Sequence, residues 1–399
     1  MTHLTSTQFS VLPADAVSLP EFGETPFELA KSWPKKEPLI ALIAGNGESR
    51  WSRWSIIAPA TGRRMTLRSK HDLAEFQTEL DAIKHTSLVP GWIGYLGYEL
   101  GECFEPEVRV TKPKQREWPL ADFIWCDQCL VHDAEDNSWW SVGGFKPPVL
   151  RDEHQELKFG QLVDVDGDAK FGDAVDSTKL YIHEGDIFQA NITRRFSSNV
   201  SGDIRSASLD TLADPGGWFG AWIEFADDDC RSLLSLSPEL FLQFDGVTRT
   251  VISRPMKGTR PITDPPETLM NSDKDAAELH MIVDLMRNDL GRVCEFGSMQ
   301  VTESRAIEQH PTVWQCTAEV QGTLRSDSSA YDLIKSTFPA GSITGAPKIR
   351  AMQIIDELET TARGAYCGSI GIIGGSMLLN VAIRTAAFRG TGSTSNFQG

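Results

Sequence analysis

Strand-like runs in this chain are joined by turns rather than by strand–helix–strand crossovers, and that limits the fold more than any other feature. Residues 38–44 (PLIALIA) read as a buried strand, and 51–58 (WSRWSIIA) as another with a solvated start. Residues 90–101 (PGWIGYLGYELG) are strand-like with four glycines, which mark bulges or close backbone approach. Residues 189–196 (QANITRRF) alternate like a strand. Residues 232–244 and 247–252 read as a strand pair around a Phe-Asp-Gly turn, and 364–373 with 377–388 as an antiparallel hairpin around Gly374-Gly375. Helical patterns cover 176–183 (stopped by Gly185), a stretch from a Ser272 or Asp273 cap through Asp289, 331–338, and 346–358 with Pro347 in its first turn. The sum is an α+β fold with antiparallel sheets. A charged, Pro147-Pro148-containing stretch reads as a connector, which divides the chain into an N-terminal region (1–150), a connector (151–175) and a second region (176–399).

Charge narrows the function classes. The 399 residues carry 38 Lys and Arg against 55 Asp and Glu, a formal net charge of −17. Nucleic-acid binders show a basic face, so that class is excluded. An anionic substrate stays open only if its site is locally cationic or bridged by a metal ion. The seven cysteines are scattered and odd in number, which is no disulfide framework. The N-terminus lacks a basic-then-apolar signal, and the weakly polar stretch 367–383 is too broken for a membrane span. These readings together imply a soluble cytoplasmic enzyme.

Several constellations bear chemistry. Asp275 and Glu278 lie three apart on one helix face, as boundary residues or as ligands for a hard cation such as Mg²⁺. Asn380, Ala382, Arg384 and Ala386 share one face of a strand by its period of two; Arg384 either faces solvent or forks a carboxylate in a crevice. In PMKGTR (255–260), Lys257 is a surface lysine, an electrostatic clamp or a nucleophile, and Gly258 allows close approach of an anion. A free lysine is neutral only about 0.04% of the time at pH 7, so nucleophilic work needs desolvation or a base. GSITGAPK (341–348) fails the phosphate-loop spacing, although a glycine-rich turn feeding a helix suits a carboxylate. Cys126-Asp-Gln-Cys129 lacks a second cysteine pair, so zinc is not indicated and a structural role is.

Taken together, these motifs resemble the chorismate-binding enzymes. The resemblance rests on IHEGDIFQANITRRF (182–196), SPELFL (237–242), PMKGTRP (255–261), AELHMIVDLMRNDLGRV (277–293), FPAGSITGAPKIRAMQIIDELE (338–359), RGAYCGSIG (363–371) and NVAIRTA (380–386). SRWSIIAP (52–59) and GWIGYLGYELG (91–101) fit more loosely. The fold so implied is one large α+β unit, two antiparallel sheets packed face to face with helices outside. Region 176–399 would be its chorismate-binding catalytic part. Gln189 stands where water-adding members carry a general-base lysine, and Lys257 where the C4-aminating branch carries lysine and the C2-aminating branch alanine. The resemblance therefore implies amination of chorismate at C4 to 4-amino-4-deoxychorismate, toward 4-aminobenzoate and folate. Ammonia would come from a separate glutamine amidotransferase subunit. It further implies Glu239 as general acid and Lys257 as nucleophile. Mg²⁺ would sit on Glu278 with Asp275 secondary, and Tyr366 and Arg384 would hold the enolpyruvyl carboxylate. Gly258, Thr259, Gln189, Thr344, Gly345 and Gln315 would contact substrate.

Some positions depart from the family pattern. Gln315 stands where many relatives have histidine and Ala318 where serine is usual, so a proton-shuttling role there is lost. Residues 388–399 (FRGTGSTSNFQG) stop about where relatives continue into a glycine-rich turn and a second metal glutamate. Weakened Mg²⁺ affinity and an exposed sheet edge are expected from that. Two other readings stand beside the leading one: C2 amination with pyruvate release to anthranilate, and a truncated, non-catalytic protein that binds chorismate or a partner. Some relatives bind tryptophan near the N-terminal region, and Glu48-Ser49-Arg50 lies in a comparable place.

Overall fold

The computed structural model describes residues 9–45, 50–108, 114, 116–148, 156–213, 217–390 and 394–398. Among these, strands build a 12-stranded and a 10-stranded sheet, every named pairing antiparallel. Each sheet takes strands from both sides of the 149–155 stretch. The larger joins Leu39–Ile43 to Phe219–Glu224, and the smaller joins Gly91–Leu96 to Ser369–Ile373.

The apolar runs are continuous because both faces of each sheet are covered. In Leu39–Ile43, Ile40 joins the core between the sheets, while Leu39, Ala41 and Ile43 face outward. There they meet Leu29, Ala30 and Trp33 around helix Pro26–Lys31, and Leu209 and Leu212 of helix Ile204–Ala213. In Gly91–Leu96, Ile93 and Tyr95 point into the inter-sheet core, and Trp92 and Leu96 point outward. Their outward neighbours include Phe76 of helix Leu73–Asp81, Leu279 and Val283 of helix Asp273–Gly291, and Leu333 of helix Ala330–Thr337. The Leu, Ile, Val and Phe side chains among these each contribute about 1.5–3 kcal/mol. The arrangement is four layers, helix–sheet–sheet–helix. Cys126 and Cys129 are buried in the inter-sheet core, in keeping with a structural role.

Several local readings are corrected. The expected strand 232–244 is two strands in different sheets: Ser232–Ser237 belongs to the larger sheet and Leu240–Phe244 to the smaller. Pro238 lies at the switch. The expected strand 377–388 also splits, into Met377–Asn380 in the smaller sheet and Thr385–Arg389 in the larger. Residues 189–196 are not one strand; Gln189–Ala190 pairs with Gly345–Ala346, and Phe196–Ser201 lies in the larger sheet. The helix expected at 176–183 begins eight residues earlier, as Asp168–His183. Backbone segment Thr394–Gln398 pairs with both Phe196–Ser201 and Thr385–Arg389.

Candidate active site

The two sheet switches lie against each other. Val381 N–H donates to Glu239 O at 3.0 Å, Leu236 N–H to Arg384 O at 3.0 Å, and Ser237 Oγ to Val381 O at 2.6 Å. This junction positions Glu239, Arg384 and Tyr366. Glu239 follows Pro238 at one switch and is buried. Arg384 sits on the other, in the left-handed conformation at φ 51° rather than on a regular strand face. The expected face of Asn380, Ala382, Arg384 and Ala386 is therefore not formed, because residues 381–384 have left both sheets. Among the described residues the exposed Arg384 guanidinium has no hydrogen-bond or ion-pair partner. Tyr366 reaches the same switch through Cys367, whose N–H donates to Ala382 O at 2.9 Å.

Lys257, Gly258 and Thr259 lie within strand Met256–Pro261. Lys257 Nζ donates to Ser342 O at 3.2 Å. Burial pushes the Glu239 carboxyl up to about 7, against the pull of the Ser342 hydroxyl, the Lys257 ammonium and the Met256 N–H. A carboxyl in that range is half-protonated near neutrality, as a general acid requires. Gly258 has φ 87°, and a Cβ there would lie 2.8 Å from Leu269 and 3.0 Å from Asp275, so only glycine fits. Thr259 stands opposite Gln315 in the sheet.

The turn 341–345 closes another side. Thr344 is buried with its hydroxyl on Ala340 O at 3.0 Å, and Gly345 passes so close to Gln189 that a Cβ would lie 2.0 Å from the Gln189 carbonyl. Gln189 Oε1 and Gln315 Oε1 are both buried without a hydrogen-bond partner. Such unpartnered acceptors cost about 1–3 kcal/mol each; Gln189 borders the 341–345 turn and Gln315 the strand of Lys257.

Helix Asp273–Gly291 starts on a Ser272 cap, whose side chain accepts from Asp275 N–H, and this sets Asp275 and Glu278 on one face. Asp275 is buried and tied to Arg260 at 2.6 Å. Glu278 is half-buried and faces Lys274 at 3.6 Å. Among the described residues no three His, Cys, Asp or Glu side chains converge on a metal position. One available carboxylate suits a Mg²⁺ ion shared with a substrate carboxylate, which needs no all-protein cage.

A separate cavity of about 800 Å³ lies between the sheets, lined by Leu42, Arg50, Trp51, Trp54, Trp218 and Glu319 among others. None of the residues expected to contact chorismate or the metal lines it, whereas Arg50 and Asn380 do. Arg50 pairs with Glu319 and stacks on Trp51; Glu48 and Ser49 fall outside the described residues. Beside it the buried Arg254 pairs with Glu308, bonds Thr317 at 3.0 Å and lies over the rings of Trp51 and Trp218.

Sequence reasoning missed the buried ion pair of Arg363 with Glu359, which borders Gln189 and the 341–345 turn. The pair is only four residues apart, but the carbonyls it reaches, Asn191 O and Ile343 O, are distant in the chain and leave no local signal. Among the described residues, no helix is long and apolar enough to cross a membrane.

Comparison with known proteins identifies the family and the fold. The profile of chorismate binding enzymes matches residues 49–398. Aminodeoxychorismate synthase component 1 of Escherichia coli is 42% identical over 313 residues, covering 74% of this chain and 68% of that protein. Anthranilate synthase component 1 of Aquifex aeolicus is 30% identical over 446 residues, covering 96% of this chain and 88% of that protein. The crystal structure of anthranilate synthase component I from Streptococcus pneumoniae superposes with a TM-score of 0.72 at 25% identity, covering 88% of this chain and 87% of that one. With the profile matching over most of its length, the chain belongs to the chorismate-binding enzyme family.

Proposed function

We propose that this chain aminates chorismate at C4, giving 4-amino-4-deoxychorismate, with ammonia delivered by a glutamine amidotransferase partner. The observation that carries the reading is the facing of Lys257 and the buried Glu239 across the sheet switch, with no general base at Gln189. Lys257 Nζ, once neutral, forms a bond to ring C2. The ring double bonds shift, the C4–oxygen bond breaks, and Glu239 gives its proton to the departing hydroxyl, which leaves as water. Ammonia then bonds to C4, the double bonds shift back, the C2–nitrogen bond breaks and Lys257 is freed. Arg384 and Tyr366 hold the enolpyruvyl carboxylate, and Gln189, Gln315, Thr259 and the 344–345 backbone line the ring. Mg²⁺ on Glu278 would neutralise the ring carboxylate; Asp275, committed to Arg260, shapes the wall at Gly258 instead.

The test is product identity. Chain, chorismate, Mg²⁺ and ammonium salt should give aminodeoxychorismate, trapped as 4-aminobenzoate by added lyase. Anthranilate as product would assign the C2-aminating reaction, and chorismate binding without turnover would assign a non-catalytic role.

A further inference from the structure

Three segments of the candidate site come from distant parts of the chain: 189–193 with Gln189, 341–345 with Ser342, Thr344 and Gly345, and 363–366 with Tyr366. One side chain holds all three. The Arg363 side chain is 2% exposed. Its Nη1 donates to Ile343 O at 3.0 Å, and its Nη2 donates to Asn191 O and to Glu359 Oε1 at 2.7 Å. Its Nε donates to Glu359 Oε2 at 2.9 Å, and its plane lies 4.2 Å from the centre of the Tyr98 ring. Glu359 in turn accepts from the Thr193 N–H at 2.8 Å and the Thr193 hydroxyl at 2.9 Å. The Arg363 N–H and Gly364 N–H both donate to the buried Glu99 carboxyl, at 2.6 Å and 3.1 Å.

This arrangement exceeds what chain packing requires. A guanidinium taken out of water costs several kcal/mol unless every donor is used, and an apolar side chain would fill the space without that cost. Two of the donors go to backbone carbonyls on either side of the contact between the two loops, where Asn191 N–H meets Thr344 O at 2.8 Å. The 341–345 turn carries the Ser342 carbonyl that receives Lys257 Nζ, and its Ser342 hydroxyl, buried without a hydrogen-bond partner, is near enough to draw the Glu239 carboxyl down.

We infer that Arg363 is a positioning residue for the amination: through Ile343 and Asn191 it fixes the turn that aligns Lys257 with Glu239. The inference rests on the reaction proposed above. Arg363→Lys keeps the charge and loses the fork. It should lower kcat for amination by about 100-fold, as an ångström-scale misplacement does, with KM for chorismate changed less than about threefold. The rate should also change shape with pH. Glu239 must be protonated to act, so the rate falls on the alkaline side of its pKa. Among the described residues, the charged group facing Glu239 is Lys257. A turn that drifts away weakens the downward pull of Ser342 and Lys257, so the alkaline limb should move to higher pH. A generally loosened fold would lower the rate equally at every pH. Thr193→Val, which removes one donor to Glu359 and no charge, should shift the limb the same way with a rate loss of about threefold to tenfold.

Both variants are compared with the unaltered chain for amination and for amide hydrogen exchange. Unchanged limb position in both variants, or unchanged kcat in Arg363→Lys, overturns the positioning role. If the unaltered chain itself makes no amino product, the proposed reaction fails. Exchange then decides the hub on its own: Asn191, Thr193 and Thr344 amides should lose protection together in Arg363→Lys, and retained protection overturns it.

Discussion

The sheet-switch junction and the inter-sheet cavity border the same two sheets and treat charge in opposite ways. Around the cavity the described charges are matched. Arg50 meets Glu319, Arg53 forks Asp133 at 2.8 Å and 2.6 Å, and Arg254 meets Glu308. At the junction they are not. Arg384 has no partner among the described residues, Lys257 bonds a carbonyl, and Gln189 and Gln315 each bury a bare oxygen. Gln315 and Glu319 share one face of strand Val313–Thr323, four residues apart, yet fall on opposite sides of this divide. The ion pairs beside the cavity hold the fold even though Arg254 Nε and Glu308 Oε2 there are also buried without a hydrogen-bond partner.

The sharpest way to break this contrast is Lys257→Ala. Amination should fall by about 10⁴-fold or more, because a covalent step cannot be shared out to other groups, while the melting temperature stays near that of the parent. Retained turnover in a single-turnover assay would remove Lys257 from the chemistry.

Glu239→Gln should cost about 10²–10⁴-fold in kcat and abolish the alkaline limb near pH 7. It should also stabilise the chain. The folded pKa is raised above the unfolded value, so the folded form binds more protons, and stability falls as pH rises from about 4.5 to about 7. The cost reaches roughly 3 kcal/mol above that window. Urea titrations should therefore show the variant gaining over the parent at pH 8 and matching it at pH 4; equal stability at both would mean the carboxyl is not strained.

On the paired side, Arg254→Met should destabilise by about 3–5 kcal/mol, because Glu308 loses its buried counter-ion. Its readout is the urea midpoint, with KM for chorismate unmoved. A rise in KM would show that the cavity wall belongs to the substrate site. Smallest is Arg384→Gln. KM for chorismate should rise about 10- to 100-fold, the worth of a charge-assisted hydrogen bond, with the urea midpoint unchanged since the guanidinium holds nothing in the fold.

Much of this was legible before the structure. The run LIALI at 39–43, the capped helix at 273–291 and the antiparallel character follow from local patterns. The catalytic candidates come from the family resemblance instead: local pattern leaves Lys257 open and does not single out Glu239. What stayed hidden depends on partners far away in the chain. Alternation continues through Pro238 and again through Val381–Arg384, and nothing local says that the strand changes sheets there. Residues 189–196 alternate, but 191–195 are spent on contacts with Thr344, Glu359 and Asp164 rather than on a ladder. By spacing Asp275 reads as a boundary residue or a cation ligand alike, and its ion pair with Arg260, fifteen residues away, leaves no local signal.

The hydrogen bond from Ser237 to Val381 spans 144 residues of chain. Its consequence appears during synthesis. At about 5–20 residues per second, the first switch waits on the order of ten seconds for the second to leave the ribosome. Until then Glu239 faces no second wall and keeps its place in water. The junction around Glu239 is thus absent from the nascent protein and forms only when the two switches meet.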